Sequence, residues 1–376
     1  MGLGMRWYRW LTDAVPMPRR SPSQPNSRAR TESIDSSSRG YSNEPDRDYD
    51  RGCSSRYMHY YMDKAQTAAG DNNALEADRL DIMSALILAR DGCREGEDQQ
   101  CRFFVQSVTA IARFLGYRNA LDERVKWGKA ALGVAELLKD DLAIAELCAS
   151  TISWPLLQQG RNEEAKSYCI RGLEAAENSE HSTAAARWAG NAARTLSGIA
   201  RDNKDWATAY HWAEQTAMHA QSCDDQILIR GAELDFGYAA LLRRDFLEAE
   251  KRFRGVLDLE ERGQDDERIG NRSGDVALAV MNRAVQSEDG FEKIRLCGQA
   301  RALVERNLRL GKKINHAVMI GEGEISLAIL ARILGKEDEY QRLVGSGRRR
   351  FAELGIRRPG RAEQFVAFPD EYQYTT

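Results

Sequence analysis

Phe236-Gly237-Tyr238-Ala239-Ala240-Leu241-Leu242-Arg243-Arg244-Asp245-Phe246-Leu247-Glu248-Ala249-Glu250-Lys251-Arg252-Phe253 reads as two helices meeting across a turn at Arg244-Asp245. Gly237 lies twelve residues before Ala249; Phe246 lies three before it and Phe253 four after it. A small residue lets two helices approach, and aromatics at helical spacing fill the groove between them. The same frame centred on Ala165 gives Ile152, Ser153, Asn162 and Cys169. Centred on Ala209 it gives Leu196, Ser197, Trp206 and Ala213. Small residues therefore recur at Ser153, Ser197 and Gly237.

The rhythm extends along the chain. Helical pairs are expected at 142–159 and 163–178, 183–201 and 206–221, and 226–243 and 246–261. Two more fall at 267–286 and 292–310, a weaker pair, and at 315–334 and 337–354. Turns within pairs fall near Gly116, Gly160, Asn203, Arg244, Asp289 and Gly335, spaced 41 to 46 residues apart. Asn203 and Gly335 are expected to take the left-handed conformation that closes a helix. Long repeats of this kind stack into solenoids. The expected fold is all-α, a right-handed alpha-alpha superhelix with a disordered N-terminal segment; a helical bundle and another alpha-solenoid are the rivals.

Three segments follow. Residues 1–53 are rich in serine, proline and charge, lack apolar periodicity, and are expected to be disordered or a linker. Residues 54–355 form the helical repeat domain. Residues 356–376, with Pro359, Gly360 and Pro369, are expected to be coil.

The Gly237/Ala249/Phe253 set, and Trp206 with Ala209, resemble the tetratricopeptide repeat (TPR) family. This chain departs from it: the family repeat is about 34 residues, and its proline at the repeat end is missing. Ser55 to Tyr61, Ala74 to Leu86, Phe114-Leu115-Gly116-Tyr117 and Trp127 to Leu132 resemble the region following the nucleotide-binding and winged-helix domains of bacterial STAND-type regulators. That resemblance covers about residues 55 to 355. It implies sensor repeats without their ATPase, and a separate ATPase or regulator chain as a partner.

The chemistry-bearing motifs are absent. No G-x-x-x-x-G-K-[ST] stretch occurs, and Gly321-Glu322-Gly323-Glu324 has no lysine after it. His59, His181, His211, His219 and His316 form no metal-binding spacing. Asp140-Asp141, Asp224-Asp225 and Asp265-Asp266 sit at turns, where helix capping accounts for them. No cofactor or metal is expected, and the chain is read as not an enzyme. Cys53, Cys93, Cys101, Cys148, Cys169, Cys223 and Cys297 are read as reduced thiols of a cytoplasmic protein. A net charge of -3, from 54 basic and 57 acidic side chains, favours neither nucleic acid nor membrane. The arginines at 348, 349, 350, 357, 358 and 361 raise nucleic acid as a minor alternative.

In a stacked two-helix repeat the first helix of each pair lines the concave face. Residues one turn from the packing positions then point into the groove. These are Trp154, Leu157 and Gln158; Asn191, Arg194 and Arg201; and Arg230, Leu234 and Tyr238. Asn191 is suited to a peptide backbone, and Arg194 with Arg201 to a carboxylate. The partner-binding set is Trp154, Gln158, Asn191, Arg194, Arg201, Arg230 and Tyr238. The functional expectation is a protein- or peptide-binding adaptor or sensor. The alternative is a regulatory component that senses a ligand and acts on transcription or signalling through a partner. Tyr57 to Tyr61 is read as a cap or a self-association contact.

Overall fold

The computed structural model describes residues 47–67, 72–93, 98–117, 120–180, 182–366 and 368. Helices α1 (Arg47–Thr67), α2 (Asn72–Ala77) and α3 (Arg79–Gly92) open the folded region. Six pairs follow. The first is α4 (Asp98–Tyr117) with α5 (Leu121–Leu137). The second joins α6 (Asp141–Glu146), a π-helical segment (Leu147–Ile152) and α7 (Ser153–Gln158), all packed on α8 (Asn162–Asn178). Next come α9 (Ser182–Asp202) with α10 (Trp206–Cys223), and α11 (Gln226–Leu242) with α12 (Phe246–Gly263). The last are α13 (Asp266–Gln286) with α14 (Gly290–Lys313), and α15 (Ala317–Ile333) with α16 (Glu337–Glu353). A short helix, α17 (Arg361–Phe365), ends the fold. Most helices pack mainly on their neighbours in the chain, whereas α1 packs on α3 and α17 on α15. The described residues contain no strand, and the chain is an α-helical repeat solenoid.

The small-residue frame works as the spacing implies. Ala165, Ala209 and Ala249 are fully buried, as are Ser153 and Ser197. The Ser197 hydroxyl donates to the Ala209 carbonyl at 3.2 Å, so small side chain meets small side chain across the pair. A Cβ on Gly237 would collide with the Phe253 ring. Phe236 and Trp206 lie outside this packing. Phe236 stacks on Tyr210 beneath Arg252, and Trp206 is largely exposed.

The turns repeat a two-residue device. A left-handed residue is followed by an aspartate whose carboxylate accepts from the next helix's first backbone N–H groups. Lys139-Asp140, Lys204-Asp205, Asp224-Asp225, Arg244-Asp245 and Gln264-Asp265 all follow it. The turn aspartates are therefore caps. The left-handed residue in the third pair is Lys204, one past the expected Asn203; Gly335 is left-handed as expected.

Four other expectations are corrected. Helix α1 begins at Arg47, ahead of the boundary set at 53; residues 1–46 lie outside the described residues. The pair expected to be weak is fully formed: α13 is buried without a break from Ser273 to Asn282, and the polar Ser273, Asp275 and Asn282 at buried positions hide it from a frame built on small and apolar residues. Cys93 and Cys101 form a disulfide between the end of α3 and the start of α4, because that connection brings their Cα atoms to 4.6 Å. That bond removes part of the argument for reduced thiols and a cytoplasmic location; Cys148, Cys169, Cys223 and Cys297 are free. Lastly, residues 356–366 are packed instead of loose coil, with Ile356, Ala362, Phe365 and Val366 buried. Among the described residues no helix is long and apolar enough to cross a membrane.

Apolar packing gathers into two clusters. One runs from Met58 to Ile199 and the other from Leu234 to Val366. Only Ala200, Ala209 and Ala239 form a small cluster of their own where the two meet. Gly237→Val should cost about 1–3 kcal/mol through overpacking against Phe253. Phe253→Leu added to it should restore some of that loss. Urea unfolding of the two variants checks both.

Candidate ligand-binding lumen

The first helices of the pairs face inward and supply most of the lining of an open cavity of about 770 Å³. Its wall takes Arg113 from α4, Trp154 and Gln158 from α7, Arg194 and Arg201 from α9, Tyr238 from α11 and Glu322 from α15. A smaller space of about 260 Å³ adjoins it and shares Arg124, Trp154, Gln158, Arg194, Arg201, Asp235 and Arg358. Helix geometry explains this arrangement. From the second pair on, each first helix packs on its own partner and on the second helix of the preceding pair, and the face left over, with its polar side chains, looks into the lumen.

The lumen is organised by two buried carboxylates. Asp235 on α11 lies between Arg194 and Arg201, 3.6 Å from each. Burial pushes its carboxyl up, and the two arginines only partly counter this. Arg201 also stacks on the Tyr238 ring at 4.3 Å. Gly231 makes room for Arg194, since a Cβ there would strike the guanidinium. Asp275 on α13 accepts from the Tyr238 hydroxyl at 2.5 Å and pairs with Arg272 at 2.9 Å and with Arg361. Burial pushes the Tyr238 phenol up to about 12, so it remains a donor across the accessible pH range.

The C-terminal segment lies inside this lumen. Arg358 donates to Asp202 at 2.8 Å, and the Gln364 side chain donates to the same oxygen at 2.7 Å. The backbone N–H of Arg361 donates to Glu322 at 2.8 Å. The Lys204 ammonium donates to the Gln364 carbonyl and sits over the Phe365 ring. Phe365 in turn packs on Tyr238, with ring centroids 5.2 Å apart. Gly360 passes against Ile325 where a Cβ would not fit. A polypeptide segment is thus held by backbone bonds, an aromatic anchor and arginine–carboxylate pairs.

Of the residues singled out in the sequence, Trp154, Gln158, Arg194, Arg201 and Tyr238 line the main cavity, as does Leu234. Asn191 and Leu157 line the adjoining space, and the Asn191 amide donates to the Arg187 carbonyl on its own helix. Arg230 lines neither of these cavities. It pairs with Glu260 at 3.0 Å, between α11 and α12. Sequence reasoning missed Arg124, Asp235, Asp275 and the C-terminal segment. The signal for Arg124 was Pro155, which interrupts a helical pattern. In the i+5 register of the π-helical segment, residue 155 is the donor for the Ser150 carbonyl, and proline has no N–H to give. Arg124 donates there instead, at 2.8 Å.

The basic run carries no open patch of six arginines. Arg348, Arg350, Arg358 and Arg361 pair with Glu363, Glu324, Asp202 and Asp275 respectively. Three of the four described histidines have identified contacts. His59 packs on Phe103 and His211 on Trp212. His316 lines the cavity, but its Nδ1 accepts from the Met319 backbone N–H and its Nε2 faces Glu267 at 3.6 Å. One ring nitrogen is thus committed to the start of α15 and the other to Glu267 on α13. His181 lies outside the described residues. Among the described residues no cluster of histidine, cysteine and carboxylate side chains has metal-binding geometry.

No family model matches the chain, and no curated protein matches it by sequence. Solved structures match it in fold. Aspartyl phosphate phosphatase F from Bacillus subtilis aligns at a TM-score of 0.50 and 12% identity, over 79% of this chain and 85% of that one. The apo form of RapI aligns at 0.48 and 11%, over 81% and 99%. A Rap protein complexed with competence and sporulation factor aligns at 0.48 and 12%, over 83% and 94%. At this identity the likeness is one of architecture.

Glu146, on the cavity wall, supplies a pH signature. Burial, reinforced by Asp140 and opposed by Arg187, pushes its carboxyl from 4.5 up to about 7. Folding therefore favours the protonated form, a contribution present below pH 4.5 and lost as pH rises through about 7. Glu146→Gln cannot ionise. It should match the wild type at pH 4 and exceed its stability at pH 8 by on the order of 3 kcal/mol. Urea unfolding at the two pH values reads the difference.

Proposed function

We propose that the chain is a non-enzymatic, peptide- or protein-binding adaptor or sensor that takes its ligand in the lumen of the solenoid. The observation that carries this reading is the lumen's grip on the chain's own C-terminal segment. The segment is held by a backbone N–H on Glu322, by Arg358 on Asp202 and by Phe365 against Tyr238. A surface that holds one polypeptide this way has the chemistry to hold another. The ligand-facing residues in this reading are Trp154, Gln158, Asn191, Arg194, Arg201 and Tyr238. Arg230 is a support, since Glu260 engages it.

The non-enzymatic character rests on the side chains. The histidine that lines the cavity is committed to a helix cap and to Glu267, and the buried thiols of Cys148 and Cys169 are pushed up to about 12 by burial. One structural neighbour is named as a phosphatase, but at 12% identity the likeness does not extend to chemistry. A STAND-like sensor role, with a separate ATPase or regulator chain as partner, is the finer form of the proposal. Self-association through the partly exposed Tyr60 belongs with it.

Selection of a displayed peptide library on the full chain tests the reading. Short peptides should be enriched. Trp154→Ala with Asn191→Ala, both outside the main apolar packing, should weaken them about tenfold. Equal retention by both proteins, or no retained peptide or protein at all, would sink the proposal.

A further inference from the structure

Among the partly buried lumen arginines, Arg124 is unlike the rest. Arg194 and Arg201 share Asp235, Arg358 has Asp202, and Arg361 has Asp275 and Glu322. Arg124 makes no ion pair among the described residues. One Nη donates to the Ser150 carbonyl, the guanidinium faces the Trp154 ring at 5.2 Å, and its Nε is shut off from solvent with no hydrogen-bond partner. Burial alone pulls its pKa down to about 10, and it remains charged at neutral pH.

The space beside it is built in the same sense. The smaller cavity is walled by four arginines and one aspartate. Two of those arginines, Arg194 and Arg201, also have a buried Nε without a hydrogen bond, and one Asp235 oxygen is likewise unbonded; Arg194 Nε stands 3.6 Å from that oxygen, beyond a hydrogen bond. Gly116 leaves the space that the Arg124 guanidinium occupies, since a Cβ there would stand 2.5 Å from Nη1. The buried Nε atoms are themselves closed to solvent, so the groups that meet this space are the guanidinium Nη groups, and Arg124 brings its charge there without a carboxylate partner. The chemistry that satisfies them is a planar or tetrahedral oxyanion.

We propose that Arg124, with Arg194 and Arg201, forms an oxyanion subsite that receives a carboxylate of a peptide ligand, from an acidic side chain or the C-terminus. This rests on the peptide-binding reading above and adds to it. Trp154 and Gln158 flank the subsite, and Asn191 lines the same space to meet the adjacent backbone. Arg124 is the anchor, since the other two arginines are already partly neutralised by Asp235. The subsite selects for charge, and the remainder of the lumen selects for shape.

The test uses the full chain and the variants Arg124→Met and Arg124→Lys. The first arm compares the thermal midpoint in low-millimolar sulfate and in chloride at matched ionic strength. The second arm measures retention of two pools of acetylated, amidated pentapeptides, one with glutamate and one with glutamine at the central position. The wild type should gain stability in sulfate and retain the glutamate pool about tenfold more strongly. Arg124→Met should lose both effects, whatever its own midpoint in chloride. Arg124→Lys keeps the charge without the fork; it should retain a fraction of each effect and serves if the methionine variant does not fold. A sulfate gain and a pool preference unchanged in the variants would overturn the subsite. So would the absence of both effects in the wild type. Equal retention of both pools, untouched by the variants and without a sulfate gain, would remove the subsite and leave the peptide-binding reading intact. A sulfate gain that depends on Arg124, with neither pool retained, would support a site for a small free oxyanion and remove the peptide reading.

Discussion

Asp275 is fully buried, and a buried carboxylate persists only where it is paired and hydrogen-bonded. Its partners come from three places: Tyr238 on α11, Arg272 on its own helix and Arg361 on the C-terminal segment. One charge thereby ties two repeats together and draws the segment around Arg361 into the lumen. The position of Phe365 on Tyr238 depends on it, and so does the bond from the Arg361 backbone to Glu322. In the preceding repeat Asp235 acts in the same way, holding two arginines that would otherwise repel each other.

These charged centres lie beside the seam between the two apolar clusters. There the packing thins to Ala200, Ala209 and Ala239, because α9, α10 and α11 must approach closely. Small side chains bring the backbones together at the cost of apolar area. The inner faces of the same helices carry Arg194, Arg201, Asp235 and Tyr238. The molecule therefore concentrates its polar, incompletely bonded groups where its hydrophobic stabilisation is least. Functional sites commonly carry such a stability cost.

A basic run that looks, in sequence, like a phosphate-binding patch is largely consumed by carboxylates on other helices. Arg358 reaches Asp202 across 156 residues of chain. The same run thus acts as a strap for the C-terminal segment. Its fate depends on which acidic side chains the solenoid brings into range.

Residue order alone dictates the helices, their pairing and the close contacts inside each pair. Those features depend on neighbours within a few turns: Gly237 against Phe253, Ser197 against Ala209, and aspartate caps one residue after left-handed turns. Most inward-facing residues are legible in the same way, since helical period and pair order suffice to say which face looks in. Where buried positions carry polar side chains, as Ser273, Asp275 and Asn282 do on α13, the pair is barely visible in sequence. Which charges meet is settled in three dimensions. Arg230 turns to Glu260, Arg194 and Arg201 turn to Asp235, and Arg124 finds a carbonyl that Pro155 cannot serve. The physical reason is range. Helix formation and pair packing are local in sequence, whereas ion pairs and cavities depend on how successive repeats curve in space.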